Sequence, residues 1–199
     1  MKTSKAEQAK LTITKLTEVA RHYFSTYGYA EASMEEMVKT AGLTRGALYH
    51  HFGNKEGLFM AVLGAVQKEI GERVETEAAK SEDPWEQLLF GCIAFVTSAV
   101  EEQNRRILLI DGPSVVGWDA WRKMDEEHSM RLLREQLQDM EQRGYLKPVS
   151  INALTHLLSG AMNEGVLWVA QMPDQEQALA DIQAALSLLL DGYRGAIET

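Results

Sequence analysis

The chain has 199 residues, of which 45% are hydrophobic and 25% are charged, and its formal net charge is −9. This composition excludes a disordered chain and predicts one or two domains with a real core. A single cysteine, Cys92, excludes an intrachain disulfide and fits a reducing compartment. The sequence has neither a signal-peptide core nor an apolar run of roughly 18 residues, which predicts a soluble cytoplasmic protein without a membrane partner.

Apolar residues recur at helical spacing along nearly the whole chain, and strand-like alternation is absent. The four prolines fall between the periodic segments, where they cost a helix little. The pattern predicts an all-α fold of about nine helices, with a helix-turn-helix head at residues 1–54 and a larger helical domain at residues 55–199. The predicted helices are Lys10–Tyr27, Met34–Thr40, Arg45–Phe52, Lys55–Lys80, Pro84–Glu101, Arg105–Asp111, Trp118–Arg143, Ile151–Gln171 and Gln175–Ile197.

Local signals mark the ends of the first helices. Gly28 follows the first apolar stripe at a position that favours positive φ. Ser33, with Glu36 three residues later, forms a capping-box pattern, and Thr44 can cap the third helix. Gly42 gives the backbone freedom for a tight turn between two short helices, which is the pattern of a helix-turn-helix.

The outward face of the third helix suits a DNA major groove. Its leading residues are small, Arg45 can read a guanine edge with two hydrogen bonds, and nearby hydroxyls and a lysine can contact phosphates. The candidate DNA-binding residues on these grounds are Ser33, Thr44, Arg45, Gly46, Ala47, Tyr49, His50 and Lys55. These residues alone also fit a small three-helix domain that does not bind DNA, because any such domain needs a glycine turn and a set of apolar core residues.

Charge is distributed unevenly along the chain. Residues 1–60 carry a net charge of +2, whereas residues 61–199 carry −11. Because DNA repels an acidic surface, a DNA contact would be confined to the first part of the chain. The same uneven charge is also explained by ordinary solvated helix faces whose charges differ by chance between the two parts of the chain.

The segment Ala41–Phe52 (AGLTRGALYHHF), followed by Asn54–Leu58 (NKEGL), closely resembles the DNA-binding signature of the TetR/AcrR family of bacterial transcription regulators. The resemblance covers about residues 10–62 and departs slightly at Met37–Val38, where the family commonly has an Ile-Ala pair. It implies that the third helix reads bases, that Tyr49 and Lys55 bind phosphate, and that His51 is a further DNA-binding residue near the DNA backbone. It further implies a homodimeric repressor on a pseudo-palindromic operator, released by an unidentified small molecule.

For the C-terminal domain, the resemblance implies dimerisation and ligand binding without identifying residues. The last two predicted helices are strongly apolar and could form a four-helix dimer interface or ordinary core. The candidate interface residues are Leu154, Leu158, Ala161, Gly165, Leu179, Ile182, Leu186, Leu189 and Tyr193. Large or soft side chains suit an apolar pocket, and the candidates are Cys92, Phe95, Trp118, Trp121, Met124, His128, Met162 and Trp168. Trp118 and Trp121 are favoured because they follow a predicted loop, Gly112–Gly117.

Two other functional classes remain as alternatives. A helical enzyme is disfavoured, because the sequence contains no nucleophile elbow, P-loop or His-Glu-x-x-His motif. Asp125, Glu127 and His128 could bind a metal, but a charged, solvated helix face explains them better, so we predict no metal site and no cofactor. A helix-turn-helix protein that needs no small ligand is the second alternative.

Overall fold

The computed structural model describes residues 4–195, which form an almost wholly helical protein. The helices are α1 (Lys5–Glu31), α2 (Met34–Thr40), α3 (Arg45–Phe52), α4 (Lys55–Ala78), α5 (Pro84–Val100), α6 (Glu102–Arg105), a π-helical segment (Arg106–Asp111), α7 (Gly112–Val116), α8 (Trp118–Glu126), α9 (Ser129–Gln142), α10 (Ile151–Val169) and α11 (Gln175–Asp191). Within residues 4–195 the β-type pairing is limited to one bridge between Leu146 and Arg194. The all-α prediction is therefore confirmed.

Helix α1 begins earlier than predicted. Ser4 accepts a hydrogen bond from the Glu7 backbone N–H through its hydroxyl, and the Glu7 carboxylate accepts one from the Ser4 N–H. This reciprocal capping box satisfies two N–H groups that the first turn of a helix otherwise leaves without partners. It places the start of α1 at Lys5 instead of Lys10.

The middle of the chain differs from the sequence predictions at three places. The predicted loop Gly112–Gly117 is mostly helical, because the fixed φ of Pro113 suits a first helical turn. The predicted helix Arg105–Asp111 has π-helical geometry over all but its first residue. The predicted helix Trp118–Arg143 is two helices, interrupted near His128 (φ −124°, ψ −111°).

The last helix is shorter than the sequence indicates. It ends at Asp191, six residues before the predicted end at Ile197, which lies outside the described residues. Among residues 4–195, no helix combines the length and the apolar character needed to cross a membrane.

The described residues form two compact units. The first contains residues 4–66 together with 102–121, and the second contains residues 67–101 together with 122–195. Helices α4 and α8 each contribute residues to both units. A segment remote in sequence, residues 102–121, therefore belongs to the unit that holds the predicted helix-turn-helix.

The first unit has an aromatic centre. Phe24 of α1 and Phe59 of α4 are fully buried, with an edge-to-face contact at 5.1 Å between ring centroids. Tyr29 lies 5.3 Å from Phe59. Met37 and Leu48, from α2 and α3, complete this core. Since the burial of each large apolar side chain contributes about 1.5–3 kcal/mol, this cluster holds the short helices in place.

The C-terminal end of α1 is the point where residues 102–121 meet the head. Gly28 has φ +79°, which interrupts the helix. The guanidinium of Arg106 packs directly against Gly28, in the space that a Cβ would occupy. One residue further on, the Tyr29 backbone N–H donates to the Asp111 carboxylate (2.9 Å). Arg21 of α1 also donates to the Asn104 side chain (2.7 Å).

The second unit packs α5, α9, α10 and α11 around an apolar core. Its buried side chains include Cys92, Phe95, Leu133, Leu137, Met140, Leu154, Leu158, Met162, Val166, Leu186 and Leu190. Helices α10 and α11 approach closely at Gly165, where a Cβ would lie 3.2 Å from the Ile182 side chain.

We expect Gly28→Ala to destabilise the protein more than Gly53→Ala. Both glycines have positive φ, near +79° and +75°, so both variants carry a backbone penalty of about 1–2 kcal/mol. Only at Gly28 would the new methyl group displace the Arg106 guanidinium, since nothing lies within 4 Å of the equivalent position at Gly53. Urea denaturation midpoints provide the measurement.

The Arg106→Ala background is the control for this prediction. There the cost of Gly28→Ala should fall to that of Gly53→Ala, because the displaced side chain is gone. Equal costs for the two glycine substitutions in the otherwise unchanged protein would contradict the predicted role of Arg106.

Candidate nucleic-acid interface and ligand cavity

The helix-turn-helix forms as the sequence predicts. Gly42 takes φ +62° between α2 and α3, and the Leu43 backbone N–H donates to the carbonyl of Val38 (3.1 Å). The Thr44 hydroxyl oxygen accepts from the Ala47 N–H (3.2 Å) and so caps α3. Gly53, with φ +75°, ends α3. These local bonds fix the direction in which α3 leaves the turn.

One side of α3 is exposed and carries the candidate base-reading residues. Arg45, Gly46, Tyr49 and His50 are exposed, while Leu48 is buried on the opposite side. At Gly46 the nearest atom to an added Cβ is 3.8 Å away, so the leading edge of the helix presents backbone and little else. A surface of this shape can lie deep in a major groove.

The remaining candidate DNA-binding residues lie around this face with local roles of their own. Ser33 caps α2 by accepting from the Glu36 N–H (3.4 Å), and Ala47 and His51 are half-buried. The Lys55 ammonium donates to the carbonyl of Ala30 (3.0 Å) and stands 4.9 Å above the Tyr29 ring. Partial burial lowers the pKa of Lys55, with Glu31 opposing that effect.

A cavity of about 390 Å³ lies within the second unit, between α4, α5, α9 and α10. This volume is in the range of small-molecule sites. Its apolar wall includes Leu88, Cys92, Phe95, Leu133 and Met162. Burial raises the pKa of Cys92 to about 12, so its thiol is neutral and acts as part of the apolar wall.

Three of the eight predicted pocket residues line this cavity: Cys92, Phe95 and Met162. The other five do not. Trp121 is buried in the first unit, where its indole N–H donates to the carbonyl of Leu108 (2.7 Å). Trp118 is 63% exposed, and its ring centroid lies 5.1 Å from that of Trp121, with the two rings tilted by 35°.

The remaining predicted pocket residues also lie outside the cavity wall. Met124 and His128 are half-buried, and Trp168 is exposed on α10. The preference for Trp118 and Trp121 depended on a mobile loop before them, and that loop is helix α7.

A polar cluster that sequence reasoning missed contributes three buried residues to the cavity wall: Asp125, Ser129 and Ser159. Arg122 donates to the carboxylate of Asp125 (2.9 Å) and to the Ser159 hydroxyl (3.1 Å), and it lies 3.1 Å from His156 Nδ1. Ser129 donates to Asp125 (3.2 Å). Desolvation raises the pKa of Asp125, and the charge of Arg122 opposes this shift.

This cluster corrects the expected solvated face of the charged helix. The sequence suggests a pairing of Arg122 with Glu126 four residues later, but Arg122 pairs with the buried Asp125. Both partners lie within one helical turn, so the spacing alone could not distinguish them. Within residues 4–195 the structure brings together no group of three potential metal ligands.

The predicted dimer residues divide into two sets. Leu154, Leu158, Gly165 and Leu186 are buried within the chain and belong to its core. Ala161 and Leu189 are exposed, and Leu179, Ile182 and Tyr193 are half-buried. Three more apolar residues on the same two helices are exposed: Leu157, Trp168 and Leu188.

The fold and the exposed recognition helix define a class of helix-turn-helix proteins with a helical C-terminal domain. The family described as bacterial regulatory proteins, tetR family, matches residues 16–62. A second family, the tetracyclin repressor-like C-terminal domain, matches residues 85–193. The chain belongs to the TetR family. The predicted family and the predicted class, a DNA-binding transcriptional regulator, are thereby confirmed.

Three similar proteins from bacteria show how far the likeness extends. A TetR-family transcriptional regulator from Pectobacterium atrosepticum is 34% identical, with 96% of this chain and 98% of that chain covered and a TM-score of 0.78. The regulator AcrR of Shigella flexneri is 36% identical over 52% of this chain, a match that spans about half, 48%, of AcrR. UidR of Escherichia coli is 27% identical over 80% of this chain and 82% of UidR.

We expect Asp125→Asn to destabilise the second unit by about 3 kcal/mol. The substitution keeps the shape of the side chain but leaves the Arg122 charge in a site where its own side chain is only 14% exposed. The matched control is Asp139→Asn, which breaks an exposed pair with Arg143 (3.0 Å) and should cost far less stability. Chemical denaturation of both variants at neutral pH tests this, and equal costs would contradict it.

Proposed function

We propose that the protein is a homodimeric repressor that binds a pseudo-palindromic operator through α3 and is released by a small molecule in the cavity of the second unit. The observation that carries the proposal is the exposed face of α3, where Arg45, Tyr49 and His50 flank the bare backbone of Gly46. In this arrangement Arg45 reads a base edge, and Tyr49 and Lys55 contact phosphates. Ser33, Thr44, Ala47 and His51 are proposed to lie at the same interface.

Dimerisation follows from the recognition geometry. A single short helix reads few base pairs, and two heads on a two-fold axis double the site and fix the spacing of its halves. The proposed interface is the exposed apolar side of α10 and α11, formed by Leu157, Ala161, Trp168, Leu188 and Leu189. Two copies of this face would form a four-helix contact. Gly165 is not part of it, because Gly165 receives Ile182 of its own chain.

Helix α4 supports the proposed response to a ligand. Its first residue follows the recognition helix and its turn, and its last residues, Val74, Glu75 and Ala78, line the cavity. A ligand that fits the cavity better in a second conformation of α4 would favour that conformation. The heads would then no longer match successive major grooves, and the operator would be released.

Arg45→Ala tests the proposed DNA interface. If Arg45 reads a guanine, the variant should lose about 1–3 kcal/mol of operator binding and lose its preference at one base pair in each half-site. Selection of duplexes from a random pool, followed by fluorescence anisotropy at one stated salt concentration, measures both effects. An Arg45→Ala protein with unchanged sequence preference would contradict the assignment.

Lys123→Ala is the charge-matched control for this experiment. It also removes one positive charge, from an exposed position in α8 that the proposal places away from DNA. Its operator affinity and its sequence preference should match those of the unchanged protein. A comparable loss would show that overall charge, and not a base contact, explains the Arg45 result.

Leu188→Glu tests the proposed dimer face. Leu188 is 74% exposed, so a charge there does not disturb the core of the chain, but a two-fold contact would bring two glutamates together without partners. We expect the dimer dissociation constant to rise by at least about 30-fold. Sedimentation equilibrium measures it, with circular dichroism as the check on folding.

Leu11→Glu is the matched control, because Leu11 is also exposed (59%) but lies on α1. This variant should remain as dimeric as the unchanged protein. The proposed face is refuted if Leu188→Glu stays dimeric at concentrations where the unchanged protein does, or if Leu11→Glu dissociates equally.

A further inference from the structure

The cavity of the second unit has a rim that differs from its interior. The interior is mostly apolar, with Cys92, Phe95 and Met162 among its walls. Two carboxylates, Glu75 of α4 and Glu135 of α9, line the cavity and remain 57% and 54% exposed, which places them at the opening. A molecule that enters would therefore bury an apolar body while its end lies beside these two acids.

The charges at this rim do not balance. Glu135 accepts two hydrogen bonds from Arg131 (2.8 and 3.0 Å), and Glu75 lies 4.0 Å from the same guanidinium. One arginine thus serves two carboxylates, which leaves an excess of one negative charge. No lysine, arginine or histidine is among the residues that line the cavity.

The deeper polar cluster does not change this balance. Asp125 is the third carboxylate of the lining, and it is paired with Arg122 at 2.9 Å and hydrogen-bonded by Ser129. The charges of Arg122 and Asp125 offset each other, and the two side chains are only 14% and 6% exposed, so the pair adds little net charge to the cavity. The excess charge that an entering molecule meets is therefore at the rim.

We propose that the ligand of this cavity is an organic monocation with an apolar, ring-sized body, bound with its cationic end between Glu75 and Glu135. The inference rests on the proposed ligand-responsive function and names the chemical class that the site takes. A cationic end replaces part of the interaction that Glu75 makes weakly with Arg131. An anionic end would meet two carboxylates and no cation of the lining, so the site rejects it.

Three probes that share a phenylbutyl body separate the contribution of charge from that of apolar burial. They are the cation trimethyl(4-phenylbutyl)ammonium, the neutral 4-phenylbutan-1-ol and the anion 4-phenylbutane-1-sulfonate. Isothermal titration calorimetry on the full chain without DNA gives the affinities. We expect the cation to bind at least about tenfold more tightly than the anion. Equal affinities, or no binding of the cation, would overturn the proposal.

Variants of the rim locate the charge preference. Glu135→Gln should lower the ratio of cation to anion affinity about three- to fivefold, and Arg131→Gln should raise it by a similar factor. The alcohol should change less than about twofold in both. The control is Glu72→Gln, which lies on α4 beside Glu75 but pairs with Lys68 (2.9 Å) outside the cavity lining, and it should leave the ratio unchanged. A Glu135→Gln ratio equal to that of the unchanged protein would overturn the placement.

Release of operator DNA is measured separately with the same probes. If the cation binds as expected but leaves DNA binding unaltered, the ligand class stands and the ligand-responsive function fails. If the anion or the alcohol releases DNA better than the cation, the ligand class fails and the ligand-responsive function stands. Thermal unfolding of each variant without ligand shows whether it is folded, so a misfolded variant is not read as a loss of binding.

Discussion

The left-handed backbone of Gly28 is the constraint on which the arrangement of the first unit depends. Because no Cβ projects there, Arg106 can lie against the end of α1, and the Tyr29 N–H can reach the Asp111 carboxylate. Residues 102–121 are thereby joined to the helix-turn-helix, although more than 80 positions separate the partners of that hydrogen bond. The unit that presents the recognition helix is thus built from two distant parts of the chain.

The candidate interface and the cavity use opposite electrostatics. The recognition face combines a small leading edge with Arg45, in a part of the chain with net positive charge. The cavity opening is acidic, and the chain beyond residue 60 holds the whole acidic surplus. An acidic surface repels phosphate, which fits the proposal that DNA is bound by the head and that the cavity takes an organic cation. One chain thereby keeps its two proposed ligands, polyanion and small cation, at separate places.

The bounds of α2 and α3 follow from the sequence residue by residue, because local chemistry decides them. Thr44 can cap only the helix that follows it, and Gly42 supplies the positive φ (+62°) that the tight turn between α2 and α3 needs. The cavity depends on which helices pack together, and that is not a local property. Trp121 was predicted to line the pocket because a loop was expected before it, but that segment is helical and Trp121 bonds to Leu108. The helix break at His128 has no proline or glycine near it that would have predicted it. Apolar stripes on α10 and α11 likewise fit core and interface equally well until their burial is known.

The contact at the end of α1 sets a rule for exchanging parts between regulators of this family. A hybrid that takes residues 1–54 from another member and keeps the rest of this chain would receive a foreign partner for Arg106 and Asp111. If the donor lacks a glycine in the position of Gly28, its Cβ would occupy the space of the Arg106 guanidinium. The resulting strain would lie far in sequence from the splice point. Compatible donors can be chosen by the residue at this position before any gene is assembled. A hybrid must match residues 102–121 to the new head, as well as the junction after residue 54.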